Sequence, residues 1–263
     1  MRVLVTGAAG SIGRVVTAGL AECGHEVVGL DLVQAPADVT FGWHVGDCTD
    51  PAAVAAAFAD GPVDGVVHLA GIPDEASLPD ELTSHVTTTA VLLDAMLDHG
   101  TTRMVYASSN HAVGRTPRTG LVTTSAEPRP DTFYGVAKVA AEALLRLYSD
   151  RHGIDAVACR IGSFLPEPAT RRNLATWLSH GDAVRMVEAA LTTPSPGFAV
   201  LYGISANTRA WWDLEPGRQL GYEPLDDAEE YADRLPERPE DDDEAAYVGG
   251  PFAGAQFHRR AVD

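Results

Sequence analysis

Arg2-Val3-Leu4-Val5-Thr6-Gly7-Ala8-Ala9-Gly10-Ser11-Ile12-Gly13 decides how the rest of the chain is read. Its first five residues are a short, apolar, β-branched run of the kind that becomes a strand buried on both faces of a parallel sheet. The run breaks at once into three glycines spaced GxxGxxG, and helical periodicity then continues to Cys23. Strand, glycine turn and helix in that order make a phosphate site. The glycines permit a tight turn and a close backbone approach, while the helix N-terminus offers free N–H groups and a positive dipole end. Gly7, Gly10, Ser11, Ile12 and Gly13 are assigned to the pyrophosphate of a dinucleotide.

Working outward, residues 25–30 form a second strand that ends at Asp31. An acidic side chain about 20 positions beyond such glycines is expected on the adenosine ribose hydroxyls, where it repels a 2′-phosphate. NAD is therefore favoured over NADP. Residues 41–45 resemble a third strand leading to Asp47 and Cys48, a plausible edge for adenine. An alanine-rich helix over 51–59 precedes a buried strand over 63–69, which ends at Ala70-Gly71, where backbone can pass close to the cofactor. His68 in that strand reads as a satisfied core histidine.

A helix over 82–99, closed by Gly100, leads to a strand over 103–107 that runs into Ser108-Ser109-Asn110-His111. After a proline-bearing loop come a helix from residue 132 to 147, a strand over 155–161, a helix over 181–191 and a last strand over 198–202. The alternation predicts an α/β chain: a Rossmann-like doubly wound parallel sheet with helices on both faces. One domain spanning 1–263 is expected, with 162–180 and 203–263 supplying a small C-terminal substrate cap. Trp211 and Trp212 suit core packing. The acidic tract between them and the C-terminus reads as a solvated face without chemistry.

Composition narrows the function classes. A net charge of −18 leaves no basic field to gather the phosphates of nucleic acid or an anionic membrane. A small anionic ligand must be held by a local arginine. Cys23, Cys48 and Cys159 are widely spaced, form no metal pattern, and read as reduced side chains in the cytoplasm. No secretory leader and no apolar run of membrane-spanning length is expected. No metal site is expected either.

Tyr134-Gly135-Val136-Ala137-Lys138 carries the chemistry. Four residues apart on a helix, tyrosine and lysine share one face. An ammonium beside a phenol favours the phenolate and lowers a pKa near 10, which makes Tyr134 a general base near neutral pH. Lys138 is the only lysine among 263 residues. Arginine, a planar fork, is no substitute for that compact charge.

With these motifs in hand, the chain resembles the extended short-chain dehydrogenase/reductase superfamily. Ser108-Ser109-Asn110-His111, Arg160-Ile161-Gly162-Ser163, Pro166-Glu167-Pro168 and Thr176-Trp177-Leu178-Ser179-His180 make it similar to the uronate dehydrogenase family in particular. That resemblance implies NAD-dependent oxidation of D-glucuronate and D-galacturonate at C1 to the aldaric acid lactone, in a homo-oligomer. It further implies Tyr134 as base, Lys138 as its electrostatic partner and ribose anchor, and Ser109 as the hydroxyl orienting the substrate oxygen. Asn110, His111 and Ser163 would line the sugar site, and Arg172 would clamp the carboxylate. Two positions depart from the pattern: His85 stands where many relatives place asparagine, and Pro73 where relatives can offer a serine hydroxyl. Two other readings stay open. One is an NAD-retaining sugar or nucleotide-sugar epimerase or dehydratase, which would accumulate no NADH; the other is a non-catalytic NAD-sensing regulator.

Overall fold

The glycine turn sits where two halves of a parallel sheet diverge. The computed structural model describes residues 1–254 and 257–262; residues 255, 256 and 263 of the expected C-terminal cap lie outside them. Strands β1 (Arg2–Thr6), β2 (Glu26–Asp31), β3 (Gly42–Val45), β4 (Gly65–His68), β5 (Arg103–Ser109), β6 (Asp155–Ile161) and β9 (Phe198–Gly203) form one sheet in the order β3-β2-β1-β4-β5-β6-β9. Every adjacent pair is parallel. The chain leaves β1 toward β2 on one side and returns to β4 on the other, so a crevice opens beyond their carboxyl ends. β7 (Ser163–Phe164) and β8 (Trp177–Leu178) pair separately, inside the stretch whose sequence showed little periodicity.

Two apolar layers hold the helices. On one face, α1 (Ser11–Glu22) and α7 (His180–Thr192) bury Val16, Leu20, Met186 and Val187 against Val5, Val105 and Val157. On the other, α2 (Pro51–Ala59), α4 (Thr88–His99) and α5 (Phe133–His152) bury Phe58, Leu92, Met96 and Leu145 against Leu4, Val66 and Met104. Strand residues alternate between the two layers, which is why the strands read as continuous apolar runs. Beyond the sheet edge, Val113, Val122, Ile204 and Trp212 pack a smaller cluster, with Trp212 stacked on Tyr202. The short helix α6 (Asn173–Thr176) packs Leu174 into a further cluster with Trp177, Ala228 and Leu235, and α8 (Glu215–Gln219) and α9 (Asp241–Glu244) follow in the C-terminal segment.

One element departs from expectation. The helix read as a single rod over 82–99 starts earlier, as α3 (Leu78–Glu81) capped by Ser77, and widens into a π-helical turn over Leu82–Thr87 before α4. Thr88 Oγ1 donates to the Ser84 carbonyl and Thr89 Oγ1 to the His85 carbonyl, each at 2.6 Å. Hydroxyls that bond back to helical carbonyls compete with the backbone ladder and loosen it. The wide turn rotates both Glu81 and His85 inward, to 0% and 1% exposure. His68 is the core histidine expected, with Nδ1 2.7 Å from Thr6 Oγ1 and Nε2 3.3 Å from Thr88 Oγ1.

Helix α5, which carries Tyr134 and Lys138, begins at Thr132, whose Oγ1 accepts the Gly135 N–H at 2.8 Å. Thr132→Ala should lower stability by about 1 kcal/mol, the usual worth of an N-cap. Urea unfolding checks it as a lower midpoint with unchanged slope.

Candidate active site

The carboxyl ends of the central strands open onto a cleft of about 950 Å³. Its walls include Gly7, Gly10, Ser11, Ile12, Gly13, Asp31, Asp47, Cys48, Ala70 and Gly71, so the cofactor residues read from sequence converge on one crevice. Gly7 has φ of +67°, and a Cβ there would lie 2.7 Å from the Ala70 nitrogen. Only glycine fits. Gly10 caps α1 without a side-chain hydrogen bond, leaving first-turn N–H groups for an anion. Asp31 Oδ2 accepts the Ala9 N–H at 2.8 Å, which ties the glycine turn to the end of β2 and fixes a carboxylate on the cleft wall. Asp47 turns one oxygen to the Thr49 N–H at 2.8 Å. Burial pushes the Cys48 thiol up to about 12, so it is a protonated, apolar lining. A glycine cradle with free amides, a carboxylate and an apolar edge suits an adenine dinucleotide without a 2′-phosphate.

Ser109, Tyr134 and Lys138, the catalytic set expected from the sequence, all line this cleft. Glu75 holds the start of α5 by accepting the N–H groups of Phe133 and Tyr134 at 2.9 and 3.0 Å. One turn on, Lys138 is 4% exposed and donates from Nζ to the Ala107 carbonyl at 2.6 Å. Its Nζ lies 5.2 Å from the centre of the Tyr134 ring and 4.8 Å from that of Tyr106. Ser109 Oγ accepts the His111 N–H at 3.2 Å, and its hydrogen bond draws the Tyr134 pKa down. Ser108, by contrast, donates to Glu142, which also accepts both arms of the Arg160 fork at 3.0 and 2.8 Å.

The expectation that Lys138 lowers the phenol pKa is overturned for the chain alone. Burial raises Tyr134 to about 12, against the hydrogen bond from Ser109. Burial also lowers Lys138 to about 7. The reason is desolvation: both groups sit in low dielectric, and the ammonium spends its shortest bond on a carbonyl rather than the phenol. The two groups share the helix face that the spacing promised, but burial dominates their titration.

A second cavity, of about 260 Å³, meets the first at Gly162 and is lined by Asn110, His111, Ser163 and Arg172. His111 Nδ1 lies 2.9 Å from the buried Asp131 carboxylate, which assigns the proton to Nδ1 and leaves Nε2 for a ligand. Ser163 Oγ is 2.9 Å from Thr176 Oγ1. Arg172 donates to the Val248 carbonyl at 2.6 Å and has no carboxylate partner among the described residues. Burial and the neighbouring Arg118 bring it down to about 10, so it keeps its charge at neutral pH. The reading of the acidic tract as a mere solvated face needs correction. Arg238 grips Asp241 at 2.7 Å and Glu244 at 2.7 Å, and Arg238 and Glu244 line this cavity together with Phe252.

Sequence reading missed Glu75, Glu81, Asp131, Arg238 and Glu244. Asp131 and Glu75 act through partners distant in sequence, which no spacing reveals. Only Arg238 left a trace, as an arginine three residues before Asp241 at helical spacing. His85 is neutral, lowered to about 2 by burial and by Lys138, and its ring meets Tyr134 edge-on at 5.2 Å. Pro73 lines the main cleft.

A crevice at the sheet switch point, with a Ser–Tyr–Lys set at its inner end, is the site of a nicotinamide-dependent oxidoreductase fold. A sequence model of the NAD dependent epimerase/dehydratase family matches residues 3–180, and the chain belongs to that family. Within it, the chain is 36% identical to the uronate dehydrogenase of Pseudomonas syringae pv. tomato over 97% of its own length and 94% of the relative's. Identity to the uronate dehydrogenase of Agrobacterium fabrum is 39%, over 95% of this chain and 96% of that one. The solved structure of a variant uronate dehydrogenase from Agrobacterium tumefaciens complexed with NAD superposes with a TM-score of 0.90, at 36% identity, covering 98% of this chain and 99% of that chain. These matches place it among the uronate dehydrogenases.

Asp31→Ser should weaken NAD binding about 10- to 100-fold, the worth of one hydrogen bond to a charged group. The same variant should raise the NADP-to-NAD preference. Calorimetric titration with each dinucleotide reads both.

Proposed function

We propose that the chain oxidises hexuronic acids, D-glucuronate and D-galacturonate, at C1 to the aldaric acid lactone with NAD as acceptor. The observation that supports it most is the junction of two cavities. One suits a dinucleotide; the other presents an uncompensated guanidinium, an oriented imidazole and hydroxyls within reach of Tyr134 and Ser109. A sugar acid spanning that junction would put its carboxylate on Arg172, where a fork is the natural device. Asn110, His111 Nε2 and Ser163 would take ring hydroxyls.

In this reading Tyr134 removes the proton from the C1 hydroxyl as C1 gives up a hydride. Ser109 donates to the oxygen as it becomes a lactone carbonyl. Lys138, held against Ala107, supplies a positive charge beside the phenol in its protonated form. NAD, when bound along the glycine turn, supplies the hydride acceptor and a further positive charge that favours the phenolate. Residues 1–263 then work as one NAD-binding domain, with 162–180 and 203–263 as its substrate cap. The free cysteines Cys23, Cys48 and Cys159 suit the cytoplasm, and no helix of the described residues is long and apolar enough to cross a membrane. A homo-oligomer is part of this reading.

The deciding experiment is NAD reduction across glucuronate, galacturonate, mannuronate, glucose and galactose. Stoichiometric NADH from the acids supports the reading; NAD bound but never reduced on the whole panel sinks it. Tyr134→Phe should cut turnover by about 10²–10⁴-fold while leaving NAD affinity near normal. Arg172→Ala should raise KM for uronates far more than for neutral aldoses, and equal effects on both would remove Arg172 from carboxylate recognition.

A further inference from the structure

Two carboxylates stand close enough to Lys138 to act on its charge, Glu81 and Glu142. They differ in what else they hold. Glu142 is committed: Arg160 covers it with two bonds and Ser108 adds a third. Glu81 is not. Its side chain is 0% exposed and makes no ion pair with a lysine or arginine among the described residues. Oε1 accepts the Ala76 N–H at 2.7 Å, while Oε2 is buried without a hydrogen bond. His85 Nε2 lies 3.3 Å from that oxygen, but its proton already goes to the Ile72 carbonyl at 3.0 Å. Burial and the Lys138 charge keep the imidazole neutral, so His85 offers no counter-charge.

A buried carboxylate without a cationic partner is expensive unless a charge nearby stabilises it. The π-helical turn brings Glu81 into contact with the catalytic helix through His85, whose ring lies edge-on to Tyr134. We propose that Glu81 is the counter-charge of the catalytic pair, a positioning residue whose negative charge sets the pH range over which Lys138 stays cationic and Tyr134 ionises. This deepens the reading of Tyr134 and Lys138 as the catalytic pair and rests on it for its kinetic arm alone.

The sign follows from the neighbours. Glu81 raises the pKa of Lys138 and also that of Tyr134. The other groups facing it are Asp80 on its own helix, Tyr106 on β5, and Arg259 from the C-terminal segment. Asp74 acts on Tyr134 in the same sense as Glu81, and His68 lies beyond His85 as a neutral ring. Burial raises the pKa of Glu81, and against it act the Ala76 N–H, then Lys138, then Arg259. Removing the Glu81 charge therefore lowers both members of the pair together. For two interacting groups the limbs of a pH profile belong to the pair. Both limbs must move toward acid, whichever group titrates first.

Because the chain has one lysine, Lys138 can be watched directly. Protein grown with lysine isotope-labelled at Cε shows one side-chain resonance, whose shift against pH gives the midpoint without substrate or cofactor. In Glu81→Gln that midpoint should fall by about one pH unit. With NAD and uronate, both limbs of the kcat/KM profile should shift acidward by a similar amount. Glu81→Asp, which keeps the charge but withdraws it by a methylene, should fall between the two and carries the test if the glutamine variant does not fold. An unmoved lysine midpoint overturns the proposal, as does a uniform loss of rate with both limbs in place. Absence of uronate turnover in the wild type would instead count against the activity, since the lysine titration needs none.

Discussion

The constraint from which the site is built is the burial of a single ammonium at the carboxyl edge of a parallel sheet. Lysine is almost never buried without partners, because leaving water costs a charge several kcal/mol. Here the partners are a strand-end carbonyl, two aromatic faces and two carboxylates, Glu81 and Glu142. The short bond to Ala107 fixes Nζ at the end of β5, and that strand also delivers Ser109. Helix α5 must then pack where its second turn meets β5, and Glu75 and Thr132 hold its first turn in place. An arginine fork in the same space would need further acceptors that this wall does not provide.

Much of this was legible in the sequence, for a physical reason. Strands buried on both faces are unbroken apolar runs, and glycines forced by close approach occupy fixed places between a strand and a helix. Periodicity therefore located the strands whose ends line the cleft, and with them the glycine turn, Asp31, Asp47, Cys48, Ala70 and Gly71, though not lining residues such as Thr83 and Ser84 from the π-helical turn before α4. The Tyr134–Lys138 face was legible because helical spacing brings them together. Their titration was not, because a pKa depends on what surrounds a group, and burial is a tertiary property. The same limit hid Asp131 behind His111 and Glu75 beneath Tyr134, pairs separated by 20 and 59 residues. The π-helical turn escaped because threonine hydroxyls, unlike proline or glycine, loosen a helix without interrupting its apolar pattern.

Charge is distributed so that an acidic chain can admit an acid. With a net charge of −18 the far field repels a uronate. At physiological ionic strength that field is screened within about 8 Å of the surface, so entry is governed by what lines the cavity. There Arg172 presents a guanidinium whose neighbour is another arginine, while nearby Arg238 is already covered by Asp241 and Glu244. Of the two cavity arginines, only Arg172 has no carboxylate ion pair among the described residues. In the proposed reading the anionic end of the ligand goes to Arg172 and its opposite end toward Tyr134.

Positions 73 and 85 lie in one connected unit, with His85 Nε2 3.0 Å from the carbonyl of Ile72, the residue before Pro73. Pro73 contributes no hydroxyl and no N–H, so the loop after β4 needs other anchors. It has them on both sides: the Ile72 N–H donates to Ser84 Oγ and the Ala76 N–H to Glu81, each at 2.7 Å, and the Glu75 carboxylate holds α5. Ser84 and His85 come from the widened helix turn, and Glu81 from the last residue of α3 just before it. The proline-bearing loop, the helix running into the π-helical turn and helix α5 are thus joined through side chains. Gly71 closes the unit, since a Cβ there would overlap the His85 ring. An imidazole at position 85 therefore requires glycine at position 71, while its Nε2 proton is taken by the Ile72 carbonyl.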